Sequence, residues 1–254
     1  MREDDKLQPL KWYKDLAVLK NRLSAGAFLI EGERALAQIA ASFPDAVLQI
    51  LSTKKLPAEY SGYPVRIITE SQLNSISSAT TPQGIITVVR LPELSYSDEL
   101  PTQTGDKILF LEDIQDPGNV GTLIRTAAAF DFSGVLLTGK CADPFSPKCV
   151  QSTAGSLLSL WLRRTGNYLK LIDILQGKGY RLVATELKGS DNPSILQEGQ
   201  PFILALGNEA AGLSQTILEK ADFRLRIPVN QDKAESLNVA VSGAICMYLS
   251  TIPE

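Results

Sequence analysis

The chain has 254 residues, 44% apolar and 21% charged, with 25 basic against 28 acidic side chains and a net charge of −3. Such a balance describes a globular protein with a sizeable core, built as one large domain or two modest ones. It excludes disorder and collagen-like repetition, and the lack of any apolar run of about 18 residues excludes a membrane span.

Histidine is absent altogether, which removes the commonest general base, the commonest metal ligand and any Ser-His or Cys-His nucleophile. No metal site is expected. The opening Met1-Arg-Glu-Asp-Asp-Lys6 carries acids and leads into no apolar core, so it reads as neither a secretory signal nor a transit peptide. Cys141, Cys149 and Cys246 make an odd count without C-x-x-C spacing, which points to a reducing compartment, the cytoplasm, and away from a zinc ribbon.

In chain order, a helix is expected over about 8–24, then an extended Phe28-Leu-Ile-Glu-Gly and a helix over 33–43. Strand-like runs follow at 47–51, 65–68 and 85–89, completing a small α/β domain of residues 1–92. Residues 93–106 hold four acids, no base, one Pro, two Ser and two Thr, the composition of a linker. From 107 to 254, apolar strands alternate with helical patterns. Strands are expected at 108–111, 135–137, 169–175, 180–185, 202–206 and 223–227, with helices at 120–130, near 147–160 and 214–220, and at 236–249. The strands are unbroken apolar runs, as in a sheet covered by helices on both faces.

Three glycine-containing polar turns each follow a buried strand of this second domain, where open α/β sheets place ligands. The first runs from Asp113 through Asn119, a natural N-cap, to Arg125, which lies among Val120, Leu123, Ile124, Ala127 and Ala128. Arg125 is either a functional cation or a solvated residue at a helix edge. The second is Leu206-Gly-Asn-Glu209, with Gly212 beyond it; it is an ordinary strand-to-helix turn or a place where backbone N–H groups and a carboxylate meet a ligand. The third follows Ile227-Pro228, with Ser236 expected to cap the last helix and Asn238 one turn inside it. Asparagine is a mediocre helix former there.

Together, in this order, Asn119-Val-Gly-Thr-Leu-Ile-Arg125, Leu206-Gly-Asn-Glu-Ala-Ala-Gly-Leu-Ser214 and Ile227-Pro-Val with Glu235-Ser-Leu-Asn-Val239 resemble the motifs of the SpoU (TrmH) family of RNA 2′-O-ribose methyltransferases, in the SPOUT superfamily. Asp143-Pro-Phe-Ser-Pro-Lys148 with Ser152-Thr-Ala-Gly155 resembles the segment between the first two motifs. Residues 27–34 and 81–89 resemble the family's N-terminal substrate-binding domain, which has an L30-like fold.

The resemblance implies a C-terminal α/β domain with a deep trefoil knot, a homodimer held through that domain, and S-adenosylmethionine as cofactor. Residue by residue, it implies a reaction centre of Asn119, Arg125, Glu209, Ser236 and Asn238. The implied cofactor loops are Thr185, Leu206, Gly207, Asn208 and Glu209, Ile227, and Ser236 with Leu237. Val229 stands where the family has methionine, and the loop 230–234 is more charged than the family's. The implied substrate is structured RNA, ribosomal RNA first because dedicated tRNA members often lack the N-terminal domain, with transfer RNA as the alternative. Near-neutral bulk charge requires a local basic patch for RNA. Lys11, Lys14, Lys20, Arg22 and Arg34 form the densest one, read either as a docking surface or as a solvated helix face. A non-catalytic RNA-binding adaptor and a Rossmann oxidoreductase are the competing classes. The missing G-x-G-x-x-G argues against the second.

Overall fold

The computed structural model describes residues 8–189, 192–197, 199–230, 232–233 and 235–252. The charged Met1–Lys6 opening and the residues Gln231 and Ala234 of the 230–234 loop lie outside that set. The chain divides into two compact units: residues up to 93 together with 143–158, and 94–142 together with 159 onward.

In the first unit, helices α1 (Leu10–Asp15), α2 (Leu19–Ala25), α3 (Glu33–Ser42) and α4 (Glu70–Ile76) pack with strands β1 (Ala27–Glu31), β2 (Val47–Ser52), β3 (Val65–Ile67) and β4 (Ile85–Arg90). The sheet order is β1-β4-β2-β3, with β2 and β3 parallel and β4 antiparallel to both its neighbours. The helix expected over 8–24 is broken at residues 16–18. Arg22, only 2% exposed, explains the break: its Nη1 donates to the carbonyls of Leu16 and Ala17 at 2.8 Å each, and its Nη2 pairs with Asp143. The guanidinium takes up the carbonyls that the broken helix leaves open. Arg22 is therefore a buried structural cation and drops out of the basic patch expected to meet RNA. Helix α4, not anticipated, carries a full capping box between Thr69 and Gln72.

Residues 143–158 belong to this unit through helix α6 (Pro147–Thr153), which packs on β1, and through Phe145, which meets Phe28 edge-on at 5.0 Å. Burying Arg22 is tolerable only while Asp143 and the two carbonyls neutralise it. Arg22→Ala removes the cation beside Asp143 and the donor to the two carbonyls, and should cost about 3–5 kcal/mol in a urea titration. A loss below about 1 kcal/mol would show the pair to be dispensable.

In the second unit, β5 (Lys107–Leu111), β6 (Gly134–Thr138), β7 (Trp161–Thr165), β8 (Arg181–Thr185), β9 (Phe202–Leu206) and β10 (Phe223–Leu225) form one parallel sheet in the order β10-β8-β9-β5-β6-β7. Helices α5 (Pro117–Ala129), α7 (Tyr168–Gly177), α8 (Gln215–Lys220) and α9 (Val239–Leu249) complete it. One expectation is corrected here, and one strand was not anticipated. Residues 169–175 are helical, with Leu171, Ile172 and Leu175 turned inward at helical spacing. A short apolar run fits either element, and this one continues for ten residues. The strand the sequence hid is β7, whose Arg163 is buried yet satisfied by the carbonyls of Glu99 at 2.5 Å and Leu162 at 2.8 Å.

Those contacts also show what residues 94–106 do. They form no regular element, but they are strapped along the β7 edge. Arg164 N donates to the Ser95 carbonyl at 2.8 Å, Trp161 Nε1 to the Thr104 carbonyl at 3.0 Å, and Asn167 Nδ2 to Asp98 at 2.5 Å. Hydrogen bonds from Thr165 and then Asn167 hold the Asp98 carboxyl below the usual carboxylate range. An edge strand is covered in this way without a further strand.

Candidate active site

Because β10, β8, β9 and β5 are parallel neighbours, the turns that follow them emerge at one edge of the sheet, the edge where such folds hold ligands. Asn119, Glu209 and Asn238 meet there. Helix α5 starts earlier than expected, with Pro117 at its first position and Asp116 as the cap accepting from Asn119 N at 2.9 Å. Asn119 is therefore not the cap, and its side chain is available. Helix α9 starts later than expected: Asn238 is its cap, and Oδ1 accepts from Ala240 N at 2.9 Å and Val241 N at 3.3 Å. The expected cap, Ser236, lies outside the helix and is exposed. A capping role also explains an asparagine that is unfavourable inside a helix.

These corrections produce a directed chain of hydrogen bonds. With Asn238 Oδ1 occupied by the helix amides, its Nδ2 donates to Asn119 Oδ1 at 3.1 Å, and Asn119 Nδ2 donates to Glu209 Oε1 at 2.9 Å. A carboxylate only accepts, so Glu209 fixes which way the Asn119 amide points. Three turns far apart in the chain are thereby joined.

The second turn is internally braced. Asn208 N and Gly212 N each donate to the other's carbonyl, at 3.1 and 2.9 Å, and Asn208 Oδ1 accepts from Ala210 N and Ala211 N at 3.0 and 3.1 Å. Gly207 is buried at the strand exit, and a Cβ there would lie 2.2 Å from Gly212 C and 2.3 Å from Leu213 N. Close backbone approach, not an unusual φ, requires glycine at this position. Thr185 Oγ1 donates to the Ala205 carbonyl at 2.9 Å, tying the ends of β8 and β9. Ile227, Val229 and Leu237 are half-buried on the flanking turns.

Arg125 and Ser236 are not drawn into this network. Arg125 projects from the exposed face of α5, while Val120, Leu123, Ile124 and Ala127 face the core. Its apolar neighbourhood in sequence is thus simply the helix's other face. Neither the Arg125 nor the Ser236 side chain makes a hydrogen bond or ion pair among the described residues. Sequence reasoning missed Glu112, a carboxylate 4% exposed at the end of β5. The signal was a charge closing an unbroken apolar run. Its Oε2 accepts from Ser214 N and its Oε1 from Ser214 Oγ, both at 2.7 Å, and Tyr168 OH lies 3.5 Å away. Burial, and then the Glu112 carboxylate, pushes the Tyr168 phenol up, keeping its proton on oxygen.

A separate cleft in the first unit, between residues 14–17, 29–31 and 145–154, has a volume of only about 70 Å³. That is less than the ~150 Å³ cavity that holds a benzene ring, too small for a nucleoside.

Comparison with known proteins gives the family. Residues 106–248 match the model of the SpoU rRNA Methylase family, and residues 8–87 match an MRM3-like substrate binding domain. The chain is 34% identical to the 23S rRNA (guanosine(2553)-2′-O)-methyltransferase RlmP of Bacillus subtilis, over 97% of each chain. An rRNA methyltransferase from Sinorhizobium meliloti, solved with AdoMet bound, superposes with a TM-score of 0.81 at 28% identity, covering 95% of this chain and 93% of that one. The SpoU methyltransferase AviRb of Streptomyces viridochromogenes, in complex with AdoMet, gives a TM-score of 0.80 at 25% identity, over 96% and 97%. The fold is that of the SPOUT methyltransferases, and the chain belongs to the SpoU rRNA methylase family.

Proposed function

We propose that the protein transfers a methyl group from S-adenosylmethionine to a ribose 2′-hydroxyl of large-subunit ribosomal RNA. The hydrogen-bonded chain Asn238–Asn119–Glu209 carries this reading, because it assembles one polar centre from the family's three separate motifs. The residues present fit the cofactor. An uncharged adenine and a sulfonium cation call for an apolar wall, backbone polar groups and a negative rim. Half-buried Ile227, Val229 and Leu237 and exposed Glu209 provide these at the strand exits. Thr185, Leu206, Gly207, Asn208, Glu209, Ile227, Ser236 and Leu237 would hold it.

When bound, the cofactor supplies an already activated methyl group, so the chain's own task is positioning and charge stabilisation. Asn119, held by Glu209 and Asn238, and Ser236 orient the ribose hydroxyl. Arg125 donates to the developing 2′-oxygen and to the adjacent phosphate, since guanidinium groups keep their protons below about pH 12. The hydroxyl proton leaves to water at an exposed site. Residues 8–87 bind the RNA and residues 106–248 do the chemistry. The turn after β8 presses on β10, with Glu186 N donating to the Leu225 carbonyl at 2.9 Å and a Gly189 Cβ falling 2.4 Å from the Arg224 carbonyl oxygen. These contacts carry the parallel β8–β10 pairing past Thr185, and the trefoil knot itself rests on the resemblance to the SPOUT fold. Buried Cys141, Cys149 and Cys246, in no disulfide among the described residues, suit the cytoplasm, and no helix among the described residues is long and apolar enough to cross a membrane.

Labelled S-adenosylmethionine should methylate large-subunit rRNA and leave tRNA unlabelled. The position equivalent to guanosine 2553 is the first to be mapped. Label in tRNA alone would overturn the substrate assignment.

The working form is a homodimer built on the second unit. Helix α9 is apolar all round, and Val241 and Tyr248 are 49% and 55% exposed on it; a helix of this kind is normally buried on every side. Tyr248→Asp should convert dimer to monomer in light scattering. A wild-type protein that already runs as a monomer would remove the proposal.

A further inference from the structure

The 207–214 turn is held at both ends by the two consecutive residues that follow β5, Glu112 and Asp113. At its start, Asn208 Nδ2 donates to the Asp113 carbonyl at 2.8 Å. At its end, Ser214 gives both its N–H and its hydroxyl to the buried Glu112 carboxylate, at 2.7 Å each. One dipeptide can reach both ends because Asp113 adopts a left-handed φ of 56°, a conformation that costs a non-glycine residue of order 1 kcal/mol or more. That conformation is secured from the other side. Thr138 Oγ1 donates to Asp113 Oδ1 at 2.6 Å, Asp113 N donates to Thr138 Oγ1 at 3.0 Å, and Lys140 Nζ lies 3.3 Å from Asp113 Oδ2.

We propose that Glu112 and Asp113 form a positioning clamp that sets the 207–214 turn so that Glu209 meets Asn119. The proposal rests on the reading of Glu209 as part of the reaction centre. Glu112 touches no reacting atom; it acts through Ser214 and the turn. The Glu112 pair holds the turn through a buried charge, where the Asn208 bonds are between neutral groups. A buried carboxylate accepting two donors is worth more than a neutral pair and is directional. Replacing it with an amide removes the charge and leaves one acceptor where there were two, so the Ser214 hydroxyl must turn from donor to acceptor.

The test uses the full-length protein with saturating S-adenosylmethionine and large-subunit rRNA, well below the unfolding temperature. Glu112→Gln should lower kcat at least about tenfold while the KM for RNA stays within about twofold; on a Glu209→Gln background the same change should cost less than about twofold, the non-additivity of residues acting as one unit. Amide hydrogen exchange at Ala210 and Ala211 should accelerate in Glu112→Gln, and by less in the milder Ser214→Ala, which keeps the backbone donor. Wild-type kcat in Glu112→Gln, losses that simply add, or unchanged exchange would each overturn the clamp. If Glu209→Gln itself turns over normally, the assignment of Glu209 fails, and the exchange measurement still decides for or against the clamp.

Discussion

Arg125→Ala should lower methyl transfer by about 100- to 1,000-fold, the typical cost of removing one charge-stabilising donor, with S-adenosylmethionine affinity within a few-fold of wild type. The structure sharpens this expectation. Arg125 stands on the exposed face of α5 and its side chain forms no hydrogen bond or ion pair among the described residues, so truncating it removes nothing that holds the fold. Exposed substitutions of this kind shift stability by about 0.5 kcal/mol or less. Activity and stability should therefore separate cleanly: a large loss of turnover with an unchanged melting temperature. Asn119 and Arg125 are six residues apart on one helix, about 9 Å along its axis. Arg125→Lys keeps the charge and loses the planar fork, so it should recover only part of the activity. Single-turnover methylation of large-subunit rRNA is the measurement, and near-normal turnover in the alanine variant would remove Arg125 from the mechanism.

How far the sequence could be read depended on how local each cause was. The runs at 108–111 and 202–206 are short, unbroken and apolar, and they became neighbouring buried strands. The polar turns after them were legible because glycine and asparagine at a strand exit have few other uses. What joins the turns was not legible. The Asn119–Glu209 and Asn238–Asn119 bonds span 90 and 119 residues, and no local pattern encodes a partner at that distance. Cap positions failed for a narrower reason. Asp116 and Asn119 are both good caps, as are Ser236 and Asn238, and only the position at which packing starts each helix decides between them. Segment 143–158 reads as part of the second domain by chain order, while its packing belongs with the first unit because Phe28 and Arg22 hold it. The buried Arg22 looked like a surface cation because sequence carries no sign of the carbonyls waiting for it.

Gly207→Val should abolish detectable S-adenosylmethionine binding, at least about a 100-fold loss, and with it methyl transfer, while most of the protein stays folded. The obvious explanation would be that a side chain fills space meant for the ligand. The geometry gives a different one. A Cβ at Gly207 would stand 2.2 to 2.4 Å from the backbone of Gly212 and Leu213, so the first atom of any side chain drives the turn apart. The reciprocal Asn208–Gly212 bonds, the Asn208 amide bond to Asp113 and the two amides held by Asn208 Oδ1 all depend on that closeness. Overpacking of this kind costs about 1–3 kcal/mol, enough to open one turn and too little to unfold the sheet behind it. The two explanations part at alanine. If a side chain merely occupies ligand space, Gly207→Ala should bind nearly as well as wild type. If the turn itself cannot close over a Cβ, Gly207→Ala should already lose most of the affinity, and valine should add little more. Calorimetric titration of the two folded variants decides the matter, and wild-type affinity in Gly207→Val would reduce the second turn to a structural connection.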